Sequence, residues 1–161
     1  MMNNTLPSPA VTAMPAAAQR VIKRALTLLE HQLREPGATF TSTTTAKDWL
    51  RLKMGGLERE VFMVLYLDNQ HRLLDSEILF KGSINSTEVH PREVVKAVLR
   101  RNAAAVIFAH NHPSGETMPS ESDKRTTQRL QAALTLVDVR ILDHLVIGNT
   151  AAFSFAEHGL L

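Results

Sequence analysis

The tightest constraint on the fold is the run Ala103-Ala-Ala-Val-Ile-Phe-Ala109, apolar throughout and then cut off by His110-Asn-His-Pro-Ser-Gly115. So short a run does not make a typical helix, and a strand without polar alternation has to be covered on both faces. The run therefore predicts a central strand of a sheet with helices packed against it.

The flanking sequence supplies those layers. Ile22, Ala25, Leu26, Leu29 and Leu33 recur at three- and four-residue steps across residues 16–35 and predict an amphipathic N-terminal helix, stopped by Pro36-Gly37. The Ser/Thr run at residues 39–45 lacks the glycines and lysine of a phosphate loop, and reads as a loop capping a short helix at 46–54 that Gly55-Gly56 ends. Glu60-Val-Phe-Met-Val-Leu-Tyr-Leu67, the polar turn 68–71 and the stretch 72–84 predict an antiparallel hairpin. His90-Pro-Arg-Glu93 opens a helix with Val94, Val95, Val98 and Leu99 facing inward. Another helix starts near Ser120 and turns Leu130, Ala133, Leu134 and Val137 inward, before strands at 139–147 and 152–155. The fold class that results is α/β, a mixed sheet flanked by helices, with the amphipathic helix at the N-terminus.

A chain of 161 residues most simply makes one domain, with residues 1–15 as a disordered tail and 16–45 as the N-terminal helix and its loop. It contains no cysteine, which excludes disulfide frameworks, Cys-ligated zinc, iron–sulfur clusters and thiol nucleophiles together. Any metal must be held by nitrogen and oxygen. Eighteen Lys and Arg against 16 Asp and Glu leave a formal charge of +2, so a bulk nucleic-acid footprint is absent despite a pI near 9.2. No apolar run approaches a membrane span and no basic-then-apolar leader opens the chain, which reads as a soluble cytoplasmic protein.

Against that background the pair His110 and His112 stands out. In an extended segment residues i and i+2 share a face, so both imidazoles can converge on one ion. Two prolines and a glycine in the loop after them turn the chain back, and Asp123 in the first turn of the next helix can add a carboxylate oxygen. Three protein ligands with an open fourth position describe a catalytic zinc site rather than a closed structural one. Ser120 and Asp123 also form Ser-x-x-Asp, a capping-box variant that starts a helix with or without metal.

The spacing His110-x-His112, seven residues, Ser120, two residues, Asp123 resembles the signature of the JAMM (MPN+) metalloprotease family. More narrowly, Val89-His-Pro-Arg-Glu-Val-Val95, Ala109-His-Asn-His-Pro-Ser-Gly-Glu116 and Leu142-Asp-His-Leu-Val-Ile-Gly148 resemble the RadC group, with the likeness running from about residue 46 to 161. Full-length RadC proteins carry an N-terminal helix-hairpin-helix region; no Gly-rich hairpin precedes Gly55-Gly56, so the chain reads as a short form built around the metal domain. The resemblance implies MPN/JAB layering, similar to that of cytidine deaminases. It also implies Zn2+ held by His110, His112 and Asp123, with Ser120 supporting the oxyanion. The family's upstream acid opens a strand, which Glu60 matches best; Glu58 lies outside the apolar run and Glu77 competes from the second strand.

By that resemblance the chain is a zinc-dependent hydrolase of the metallopeptidase or isopeptidase type acting on a protein or peptide, with Glu60 as general base and acid. A DNA repair or recombination accessory and a non-catalytic MPN interaction module are the competing functions. His90 reads as a helix cap, and His144 as a strand residue able to support a ligand from behind. Arg100-Arg101 and Lys124-Arg125 read as solvated helix charges.

Overall fold

A computed structural model of the chain describes residues 14–35, 43–82 and 87–161. The expected tail up to residue 13, the Pro36-Gly37 stop, residues 39–42 of the Ser/Thr loop and Ile84 lie outside the described residues.

The elements run α1 (Ala16–Arg34), α2 (Thr43–Met54), β1 (Val61–Leu67), β2 (Leu73–Lys81), α3 (Pro91–Arg100), β3 (Ala105–Asn111), α4 (Glu121–Thr135), β4 (Arg140–Ile147) and β5 (Ala152–Ser154). The hairpin turn is held by Asp68, whose amide donates to the Arg72 carbonyl at 3.0 Å, while His71 adopts a left-handed φ of 62°. Pro91 occupies the first turn of α3, where its missing N–H has no intrahelical use. α2 begins at Thr43, earlier than the apolar pattern suggested.

Among the described residues the strands form one five-stranded sheet in the order β2-β1-β3-β4-β5, with β3 in the middle as its unbroken apolarity required. β1 pairs antiparallel with both β2 and β3, β3 pairs parallel with β4, and β4 antiparallel with β5, so the sheet is mixed. β3 runs past the apolar stretch into the histidine motif, because His110 and Asn111 remain paired with Val146 and Ile147 of β4.

Each face of the sheet carries its own core. On one side Met63, Leu65, Ile107, Ala109 and Leu145 meet Trp49, Leu50 and Met54 of α2 and Leu33 of α1. On the other, Phe62, Val64, Val106 and Phe108 meet Val94 and Val98 of α3 and Leu130 and Leu134 of α4. Full burial of each of those two leucines contributes roughly 1.5–3 kcal/mol. Leu99 departs from the expected stripe and is 57% exposed. The buried face of α3 follows Val94, Ala97 and Val98, and Leu99 sits a further ~100° around the helix. Among the described residues no helix is long and apolar enough to cross a membrane.

Candidate metal centre

The two histidines of the motif leave β3 on the α3/α4 face. His112 donates its amide to the Ile147 carbonyl at 3.0 Å, so the chain stays extended one residue beyond the strand. Period-two alternation then turns both rings the same way, and their Nε2 atoms lie 3.0 Å apart. Beyond His112 the chain turns sharply. Gly115, at a φ of +88°, donates its amide to the His112 carbonyl at 2.9 Å. The loop then packs on Gly148, where a Cβ would stand 2.6 Å from the Gly115 carbonyl oxygen and 2.7 Å from Thr117 Cγ2.

That turn delivers Ser120 as the N-cap of α4. Ser120 Oγ accepts the Asp123 amide at 3.0 Å and the Asp123 carboxylate accepts the Ser120 amide at 2.8 Å, closing a capping box. The same Oδ2 lies 3.3 Å from His110 Nε2 and 3.2 Å from His112 Nε2. Burial works to raise the Asp123 carboxyl, but the two imidazoles and the Ser120 amide hold it well below the usual carboxylate range. The hydrogen bond to Asp123 in turn raises His112, against desolvation.

These three atoms fit a tetrahedral cation. Bonds of ~2.0–2.1 Å place the donors of a tetrahedral zinc ~3.3 Å apart, close to the triangle formed here. His112 Nδ1 lies 2.8 Å from the Glu116 carbonyl, which can only accept, so Nδ1 carries a proton and Nε2 is the nitrogen left to serve the centre, where a metal would take the place of its proton. Nε2 then meets the Asp123 carboxylate oxygen at 3.2 Å, a contact that is attractive when either a proton or a metal cation lies between them. His110, His112 and Asp123 are therefore a group that could hold a metal ion.

Glu60 arrives from the neighbouring strand. Phe62 pairs with His110, and carrying that antiparallel register two residues further sets Glu60 across from His112. Asn111 fixes the approach: Oδ1 accepts the Val61 amide at 2.8 Å and Nδ2 donates to the Arg59 carbonyl at 2.9 Å. Glu60 is buried and lines a narrow crevice of about 30 Å3 with His110, Asp123, Thr126, Phe62 and His144. Burial raises its carboxyl, opposed by His110 and His112 and reinforced by Asp123.

Behind His110 lies a second imidazole. His144 Nε2 is 2.7 Å from His110 Nδ1, and His144 Nδ1 is 2.6 Å from Thr127 Oγ1. The ring stacks on Phe155 at 4.6 Å and meets the edges of Phe62 and Phe108. Burial pushes it well below the ordinary histidine range, so it is neutral.

A sequence model of the RadC-like JAB domain matches residues 40–160. The chain belongs to this family. It is 62% identical to the UPF0758 protein YfjY of Escherichia coli (strain K12) over 161 residues, all of both chains. It is 58% identical to the UPF0758 protein YeeS of the same organism over 148 residues, 92% of this chain and 100% of the relative. A UPF0758 protein of Vibrio cholerae is 51% identical over 146 residues, 91% of each chain. Membership of the JAB family fits a metal-dependent hydrolase, and the group of two histidines and an aspartate fits a metal ion.

In this RadC-like JAB domain the expected residues fall into two sets. His110, His112, Asp123, Ser120 and Glu60 come together at one end of β3, with Ser120 serving at least as the helix cap. Glu58 is exposed, and Glu77 lies elsewhere, accepting a hydrogen bond from the Tyr66 hydroxyl at 2.6 Å and pairing with Arg101 at 2.9 Å. Arg101 is thus no solvated charge; it lies over the Tyr66 ring at 4.4 Å and also pairs with Asp75. His90 occupies the N-cap position of α3 without a side-chain cap, its ring instead edge-on to Phe80. Two contributors were not singled out from the sequence, Asn111 and Thr127. The signal for Thr127 was its place one helical turn after Asp123; that for Asn111 was its position between the two histidines.

Proposed function

We propose that the chain is a zinc-dependent hydrolase that cleaves an amide bond in a protein or peptide. The observation that carries the reading is the convergence of two imidazole nitrogens and one carboxylate oxygen within 3.3 Å of one another, beside a buried glutamate. His110, His112 and Asp123 would hold the ion, which when bound supplies Lewis acidity and brings the pKa of water toward ~7.

The chain's own residues supply the rest. Burial raises the proton affinity of Glu60, which suits it to take a proton from the attacking water; the protonated carboxyl then returns that proton to the leaving amine nitrogen. The Ser120 hydroxyl accepts the Asp123 amide and keeps its own proton free to donate to the developing oxyanion. Phe62 and Val89 give the otherwise polar crevice its apolar wall.

Metal analysis of purified protein, followed by digestion of a broad peptide library, tests the reading. The expected result is one zinc per chain, lost in His112→Ala, and library cleavage that Glu60→Gln abolishes. Full metal content in His112→Ala, or identical products from wild type and Glu60→Gln, would overturn it. A metal-loaded protein that cleaves nothing in either form is the outcome for a binding module.

A further inference from the structure

We infer that Thr127 and His144 act as positioning residues that dictate which nitrogen of His110 carries its proton, and so which one faces the metal. The argument is one of donors and acceptors. Thr127 Oγ1 lies 2.8 Å from the Asp123 backbone carbonyl, an atom that can only accept, so the single hydroxyl proton is committed there. Thr127 Oγ1 must then accept from His144 Nδ1 at 2.6 Å. A buried imidazole that donates from Nδ1 has a bare Nε2, and that atom faces His110 Nδ1 at 2.7 Å. His110 must therefore donate from Nδ1, which leaves its Nε2 lone pair pointing at His112 and Asp123.

Reversing any one link reverses the rest. If Thr127 no longer accepts, His144 is free to move its proton to Nε2 and donate to His110, which then carries its own proton on Nε2 and presents N–H where a lone pair is needed. The rings have little freedom to escape this choice. His144 is clamped by Phe155, Phe62 and Phe108, and His110 is 2% exposed within β3. The relay also closes on itself: it starts at the backbone of Asp123 and ends on His110, so the carboxylate donor and an imidazole donor are tied together through α4 and β4 as well as across the centre. A metal ligand's outer partner normally changes affinity by about 10- to 100-fold, and here that partner is itself oriented by a hydroxyl.

The inference rests on the proposed metal centre only for its last step, since the tautomer can be read in metal-free protein. With 15N-labelled histidine, long-range 1H–15N correlation of the wild type should show His110 protonated at Nδ1 and bare at Nε2, and His144 likewise. Thr127→Val, close in shape but without the hydroxyl, should shift His110 toward the Nε2–H form and weaken Zn2+ binding by about tenfold or more in competition with a chromogenic chelator. Thr127→Ser should restore both readouts. A wild-type His110 protonated at Nε2 overturns the relay outright, even if Thr127→Val does not fold. A Thr127→Val protein with the wild-type tautomer and wild-type affinity does the same. The expected tautomers with no zinc binding in any form would instead sink the metal reading and leave the relay standing.

Discussion

Asn111 holds Glu60 by the peptide groups on either side of it, accepting from the Val61 amide and donating to the Arg59 carbonyl. The residue between the two histidines thus faces away from their nitrogens and fixes an acid on the neighbouring strand. Asn111→Ala removes both bonds and leaves the buried Val61 amide without its acceptor, which costs roughly 1–3 kcal/mol. Chemical denaturation should show that loss while zinc stoichiometry stays at the wild-type value. Unchanged stability would mean that β1 reaches its place without the clamp.

Ser120 and Asp123 cap α4 reciprocally. Ser120→Ala should destabilise the protein by ~1 kcal/mol, and Ser120→Gly by only a few tenths, as at other N-caps. Thermal unfolding of the metal-free proteins measures both. Because Asp123 keeps its bond to the Ser120 amide in either variant, metal content should be preserved.

The pH dependence of the centre has two opposite parts. The Asp123 bond raises the His112 imidazole above its ordinary ~6.5. In metal-free protein its stabilising contribution is therefore complete below that value and lost as pH rises through the raised one. The stability advantage of wild type over His112→Gln should be greatest in mild acid and shrink toward alkaline pH. Metal has to displace that same proton, so the rise in Tm on adding Zn2+ should grow with pH. Melting curves with and without Zn2+ across the neutral range separate the two; a zinc increment independent of pH would contradict the assignment of His112 as a ligand.

Gly148 admits the loop that carries the Glu116 carbonyl to His112. Gly148→Ala drives a methyl group into the Gly115 backbone and should cost roughly 1–3 kcal/mol, as overpacking does. The displaced loop should also loosen His112, so chelator competition should report weaker zinc binding. Lost stability with unaltered affinity would show that the carbonyl stays in place when the loop moves.

The order of elements could be read in the sequence because each signal was local. The apolar run before His110 placed β3 at the centre of the sheet, the polar break at 68–71 marked the hairpin, and Pro91 and Ser120 marked two helix starts. The convergence of the ring pair followed from strand alternation, and that of the Asp123 carboxylate from the loop of two prolines and a glycine that turns the chain back. What stayed hidden depends on pairings between distant segments. Asn111 matters because β1 lies beside β3, 50 residues away in sequence. Thr127 matters because β4 brings His144 beneath it, and Arg101 because Tyr66 lies on the face of the sheet that α3 covers, with Glu77 beside it on β2. Leu99 looked buried because it is apolar, yet helix phase carries it past the face that Val94 and Val98 turn to the core.

Asp123 Oδ2 is shared between the two imidazoles and the amide of Ser120. A cation drawn onto that oxygen takes electron density from its bond to the amide, so the state of the centre is written into a backbone N–H at the surface. That proton is a gauge of loading native to the chain: its chemical shift and its rate of exchange with solvent should follow metal occupancy without any dye, label or turnover.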